Sequence, residues 1–274
     1  MKLSARIAGS AALLLLLAST VGCSKLRARD QLVKGVQSFK AGQFERAVDH
    51  FQQSVTLDPN YDTAHLYLAA AYASQVVPNL DTPDNLKVAQ KAIDSFNYVL
   101  QQKPDDLDAL RQIASIYFNI KQYDKTKEYE NKVISLDPSN SSEAHDMIAV
   151  IDFTRAIKNE GQILGAAGVT DDGQGTPKKS KDVCLKLQAA NQPLVDEAIT
   201  NLNQAVQINP TYGDAMDYLN LTYRRKANID CGDDNLRKQD VSTADQWTQK
   251  AMGARKAIEA AKEKKLQGGI DMSK

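Results

Sequence analysis

The sequence predicts an all-α chain built as a stack of helix hairpins, and three observations lead there. Four segments end alike, in Leu57-Asp58-Pro59, Gln102-Lys103-Pro104, Leu136-Asp137-Pro138 and Ile208-Asn209-Pro210. Ahead of those ends, apolar residues recur every three or four positions, the period of a helix with one buried face. The composition, 42% hydrophobic and 25% charged with only 6% aromatic, suits amphipathic helices with an ordinary surface.

The proline spacing sets the repeat. Pro104 and Pro138 lie 34 residues apart, whereas Pro59 to Pro104 is 45 and Pro138 to Pro210 is 72. One 34-residue period with two insertions accounts for all three gaps. Within the first unit, Leu32, Val36 and Phe39 form one apolar stripe, and Ala41-Gly42-Gln43 breaks that helix. Phe44, Ala47, Val48, Phe51, Val55 and Leu57 then form a second. Proline ends each pair because it lacks an N–H and holds the residue before it out of helix. A single hairpin cannot cover its own apolar faces, so neighbouring hairpins must stack on it.

These residues resemble the tetratricopeptide-repeat (TPR) family. Gly35, Phe44, Ala47, Phe51 and Pro59 stand at the family's small, aromatic, Ala, aromatic and Pro positions. Leu68, Ala69, Tyr72, Ala92, Phe96 and Pro104 do so in the second unit, and Ile113, Ala114, Tyr117, Tyr123, Val133 and Pro138 in the third. Thr126 and Glu130 depart from the usual Ala and aromatic. Met147, Ile148, Ile151, Ala198, Ala205 and Pro210 fit the fourth, and Gly213, Leu219, Tyr223, Ala244 and Ala251 a degenerate fifth. The resemblance implies a right-handed α-solenoid of about five TPR hairpins over residues 28–265, in units 28–61, 62–106, 107–140, 141–212 and 213–265.

Two insertions interrupt the pattern. Residues 76–84, with Pro78 and Pro83, read as an extended loop between paired helices. Residues 154–192 read as a longer loop with a glycine-rich stretch from Gly161 to Gly175. A last helix from Val241 to Lys265, opened by Ser242 with Asp245, places Trp247, Ala251, Ala254 and Ile258 on one stripe as a solenoid cap. Residues 266–274 read as a disordered tail.

The first 22 residues are of another kind. Lys2 and Arg6 precede an apolar run from Ile7 to Val21, which closes at Gly22-Cys23. Basic flank, short apolar stretch and small-residue exit describe a secretory leader, too short to cross a bilayer comfortably as a helix. Thr20-Val21-Gly22-Cys23 resembles a bacterial lipoprotein signal, which implies an acylated Cys23 followed by a linker through residue 27. A leader cut nearby without acylation is the alternative. The resemblance places the protein on the cell envelope, on the periplasmic face of an outer membrane, since Ser24 rather than Asp follows the cysteine. Leader removal leaves 32 basic against 34 acidic groups, too even a balance for a nucleic-acid partner.

With Cys23 acylated, Cys184 and Cys231 remain, an even pair in adjacent repeats of an exported chain, and they are expected to form a disulfide. The sequence holds no catalytic or cofactor signature. His50, His65 and His145 stand alone, and no HExxH, GxSxG or Walker loop is present. Asp171-Asp172-Gly173 and Asp230 to Asp234 lack the register of a calcium loop and read as solvated acidic turns. The expectation is a protein without enzymatic activity, cofactor, metal or small-molecule substrate.

A TPR array presents a groove lined by the first helix of each unit. Carried over onto this chain, the groove positions are Leu32, Val36 and Phe39, then Leu66 and Ala70, then Arg111, Ser115 and Asn119. The later units give His145, Ala149 and Asp152, then Asp217, Leu221 and Arg224. The resemblance implies a membrane-anchored adaptor that holds a protein or peptide there during envelope assembly. The alternative is an accessory subunit of a secretion, transport or degradative complex that meets its partner through the inserted loops.

Overall fold

The computed structural model describes residues 23–175 and 179–271, and the segment read as a leader lies outside them. Ten α-helices follow one another among the described residues, with no strand. They are α1 (23–40), α2 (Phe44–Leu57), α3 (Asp62–Ala73), α4 (Pro83–Gln102) and α5 (Leu107–Asn119), then α6 (Tyr123–Leu136), α7 (Ser142–Ala166), α8 (Lys181–Ile208), α9 (Gly213–Ala227) and α10 (Asp234–Asp271). Within each unit sequential helices pack on one another, α2 on α3, α3 on α4 and α4 on α5, then α7 on α8, α8 on α9 and α9 on α10, an all-α fold of the TPR-solenoid kind.

Each repeat proline falls two positions past a helix end. The residue before it is out of helix in every case, with φ of −141° at Asp58, −135° at Lys103, −139° at Asp137 and −125° at Asn209. The proline ring disfavours the helical region for its predecessor. Inside the first and third hairpins the helix ends on a left-handed residue, Gly42 at φ 72° and Lys121 at φ 60°. Gln43 N then donates to Ser38 O at 2.9 Å and Gln122 N to Tyr117 O at 2.8 Å, closing the same C-terminal motif.

The chain divides within α6 into two compact units, up to Tyr129 and from Glu130. In unit 1, Phe51 is fully buried among Leu32, Ala47, Ala64, Leu68 and Ala71. A Cβ on Gly35 would overlap the Phe51 ring, so that position needs the smallest residue. A second cluster holds Ile93, Phe96, Ile113 and Ile116 between α4 and α5. The first insertion is an ordered loop over residues 74–82. Thr82 caps α4, its hydroxyl accepting from Asn85 N at 3.4 Å, and Pro83 takes the first helical position.

Unit 2 corrects three readings. The second insertion is mostly helix: α7 runs 25 residues to Ala166 and α8 starts at Lys181, leaving only 167–175 and 179–180 irregular among the described residues. Gly161 and Gly165 lie inside α7, where a Cβ would meet nothing. The extensions are helical because they build their own core, in which Ala156 and Leu164 of α7 meet Leu187 and Val195 of α8 and Ile229 after α9. Pro193 interrupts the α8 ladder, and nearby Asn191 donates to Ala156 O at 2.9 Å and accepts from Asn159 at 3.0 Å.

The last helix begins at Asp234 rather than Val241, because Asp233 caps it, accepting from Asn235 N at 3.0 Å and Leu236 N at 2.9 Å. Ser242 and Asp245 therefore sit within the helix rather than at its start. Ala251 is buried, but Ile258 is 37% exposed, so the packed stripe ends sooner than the spacing suggested. The helix continues to Asp271, through positions read as a disordered tail, while residues 272–274 lie outside the described residues.

Candidate binding groove

In unit 1, α1, α3 and α5 line a groove of ≈ 620 Å³. Its floor is apolar: Phe39, Leu66, Tyr67, Ala70 and Ala73, with Phe96 and Ile116 beneath. Thr63, Ser74, Gln112, Ser115 and Asn119 supply hydroxyl and amide groups. Apolar walls with a few neutral hydrogen-bonding groups form the surface on which a peptide can bury side chains and pair its backbone. Of the positions carried over from the family, Phe39, Leu66, Ala70, Ser115 and Asn119 are brought together here.

The others in this unit sit differently. Leu32 is only 8% exposed and belongs to the core around Phe51, so it does not line the groove. Val36 packs partly buried against the same core. Arg111 is not a lining residue, and its Nη1 stands 3.9 Å from Asp108 Oδ1 on its own helix. Thr63, Tyr67, Ala73, Gln112 and Ile116 were missed because each helix offers two adjacent stripes to a groove, whereas one position per turn was carried over.

The inserted loop reaches the same place. It leaves α3 after Ser74, and its Asn79 N donates to Asn119 O at 2.7 Å, so both of its supports on the groove side are lining residues. Asn79 takes φ 63°, which its short polar side chain tolerates. Asn85, 6% exposed, accepts from Val77 N at 2.8 Å and donates to Val77 O at 2.9 Å and Leu80 O at 2.6 Å.

The predicted groove positions of unit 2 do not form an open surface. Ala149 and Asp152 are fully buried, Ala149 in a cluster with Ala198, Leu202, Ala215 and Leu219, because α8 and α9 cover that face of α7. His145 Nδ1 lies 2.7 Å from Asn201 Oδ1. Asp217 is paired with Arg255 of α10, and Arg224 donates to Asp245 Oδ1 at 2.6 Å and Gly173 O at 2.9 Å. Leu221 alone among the six is exposed, at 40%.

The extended end of unit 2 is held by charge and a covalent bond. Arg225 Nη1 sits 2.5 Å from both Glu160 Oε1 and Asp171 Oδ2, and Asn228 Nδ2 donates to Glu160 Oε1 at 2.7 Å and to Asp171 Oδ1 at 3.1 Å. Burial pushes Glu160 up to about 7 against the pull of Arg225, and the neighbouring Asp171 adds to the rise. Asp171 is pushed up by burial too, but hydrogen bonds from Gly173, Asn228 and Arg225 outweigh that and hold it well below the usual carboxylate range. Lys226 and Asp240 pair at 2.6 Å, and burial with the adjacent Asp240 raises Asp230 to about 7. The acidic turns are thus partners of this cluster rather than free loops. Cys184 and Cys231 are joined as a disulfide, with Cα atoms 5.6 Å apart, tying the start of α8 to the α9–α10 connection. Cys23 is exposed and free of a disulfide.

Two repeat models match the sequence, a TPR repeat over residues 37–76 and a tetratricopeptide repeat over 107–140. The chain carries tetratricopeptide repeats. Solved TPR-like neighbours include a crystal structure of MamA, 15% identical, matched over 82% of this chain and 96% of that one with a TM-score of 0.52. MamA from Desulfovibrio magneticus RS-1 is 16% identical over 84% of this chain and 96% of that one, again at 0.52. The MamA RS-1 ArsTM double mutant is 15% identical over 85% and 97%, at 0.53. At such identities the likeness is one of fold. No curated protein matches the sequence. Among the described residues, no helix is long and apolar enough to cross a membrane, and no cluster of His, Cys, Asp and Glu could hold a metal.

Proposed function

We propose that this TPR protein is a membrane-tethered scaffold that holds a protein or peptide partner in the unit 1 groove, and that it binds rather than catalyses. The observation that carries the reading is the groove itself, an apolar trough with exposed Leu66 and Tyr67 rimmed by neutral hydrogen-bonding groups. Surfaces of that kind are kept where something covers them. The tether is Cys23, acylated after removal of the leader, on the cell envelope and on the periplasmic face of an outer membrane. The leader sequence supports this location, and a disulfide between Cys184 and Cys231 agrees with an oxidising compartment. A role in envelope assembly follows from the combination of anchor and scaffold.

Crosslinking and capture from the native envelope tests the reading. Ala70→Arg places a long charged chain across the groove floor, and the crosslinked partner should disappear from that variant. A partner captured equally well by Ala70→Arg would sink the groove assignment. Cys23→Ala should move the protein from the membrane to the soluble fraction, and retention in the membrane would reject the tether.

A further inference from the structure

Val77 and Leu80 of the first insertion stand 50% and 39% exposed. On a loose loop such side chains would mean little, but this loop is fixed from three sides. Val76, 7% exposed, is sunk into the unit 1 core. Asn85 holds Val77 at both backbone groups and Leu80 at its carbonyl, and Asn79 N is tied to Asn119 O. The backbone groups of Val77 and Leu80 are satisfied while their two apolar side chains stay outside.

The position of the loop gives those side chains a use. It departs from Ser74 and is bound to Asn119, two residues that line the same end of the groove. The loop therefore borders that end, with exposed Val77 and Leu80 just outside the groove's own lining. None of the groove-lining side chains carries a formal charge. A charged ligand side chain entering it would lose water without gaining a counter-charge, so the groove selects against it.

We infer that the insertion over residues 75–82 is part of the binding surface. It extends the groove with two preordered contacts, Val77 and Leu80, for a partner segment whose inward-facing side chains are apolar and uncharged. This rests on the groove being the binding site and adds to it where the segment runs and what it is made of. Because the loop is already ordered, the partner gains the contact without the entropy of ordering it.

A random peptide library displayed on phage and selected on the wild-type protein supplies the probe. The strongest synthetic peptides are then titrated against wild type, Val77→Ser/Leu80→Ser and Ala70→Arg, each variant first shown to melt as wild type does. The expected peptides have apolar, uncharged centres. The loop variant should weaken them about tenfold, or 1.4 kcal/mol, and Ala70→Arg should abolish binding. Unchanged binding to the loop variant together with loss in Ala70→Arg overturns the role of the loop and leaves the groove standing. Peptides with charged centres overturn the assigned chemistry. Binding that survives Ala70→Arg, or a library with no binder at all, overturns the groove reading and this inference with it.

Discussion

Asn85 and Val77 exchange a pair of hydrogen bonds, the side-chain amide of one meeting both backbone groups of the other as a neighbouring strand would. A third bond to Leu80 O completes the clamp on the inserted loop. Asn85→Ala would leave Val77 N and Leu80 O without their amide partner, and Val77 O with only the bond from Leu80 N at 3.4 Å. The expected loss is about 2 kcal/mol of unfolding free energy, read as a lower urea midpoint, with faster proteolysis between residues 76 and 82. Wild-type protease resistance in that variant would show that the clamp does not order the loop.

Gly35 faces the ring of Phe51, which is fully buried. Gly35→Ala gains helix propensity of up to about 1 kcal/mol, yet the overlap costs about 1–3 kcal/mol, so destabilisation is expected. Adding Phe51→Leu should restore part of the loss. Thermal melts of both single variants and the double variant would measure that coupling.

The disulfide closes a loop spanning 47 residues between Cys184 and Cys231. By chain entropy its removal costs on the order of 4 kcal/mol, and measured values commonly fall at about 2–4 kcal/mol. Cys231→Ser should lower the denaturation midpoint of unit 2 and open residues 167–175 to proteolysis. Unit 1 should melt unchanged, which hydrogen exchange resolved along the chain can check.

Glu160 gives stability a pH dependence of definite sign. Its ordinary value of 4.5 rises to about 7 in the fold, through burial before any other cause. Between those values the folded protein holds a proton that the unfolded chain has released, so its contribution is full below the unfolded pKa and is lost as pH rises through about 7. Asp146 and Asp230, raised by burial to about 6 and about 7, act in the same direction, while the lowered Asp171 opposes them below its ordinary value of 3.8. Melting temperature should fall between pH 5 and pH 8. Glu160→Gln, which stays neutral, should lessen that fall, and an unaltered profile would remove Glu160 as a source of it.

The hairpins were legible because proline punctuates backbone geometry directly: Pro59, Pro104, Pro138 and Pro210 each force the residue before them out of helix, whatever surrounds them. The second insertion was misread as a loop for the opposite reason. Gly161 and Gly165 look like linker residues, but a solvent-facing glycine within a helix costs only about 1 kcal/mol, and burial of Leu164 and Leu187 outweighs it. The signal was present in Cys184, Leu187, Asn191 and Val195, spaced by three, four and four behind the cap residue Ser180. Groove residues were legible only in part. Phe39, Leu66, Ala70, Ser115 and Asn119 follow from the repeat, whereas Ala149 and Asp152 are covered because α8 and α9 pack over that face of their helix.

The last helix has 38 residues, about 57 Å at the α-helical rise, whereas α9, which it packs beside, has only 15, about 22 Å. From Arg255 to Lys264 every residue is exposed, so this stretch draws little on tertiary packing and depends on local propensity and charge pairs along its surface. On heating it should uncoil gradually, ahead of the hairpins. A melt followed by circular dichroism would then show a sloping, salt-sensitive decline in ellipticity before the cooperative step, and trimming the chain after Lys256 would flatten that slope while leaving the midpoint in place.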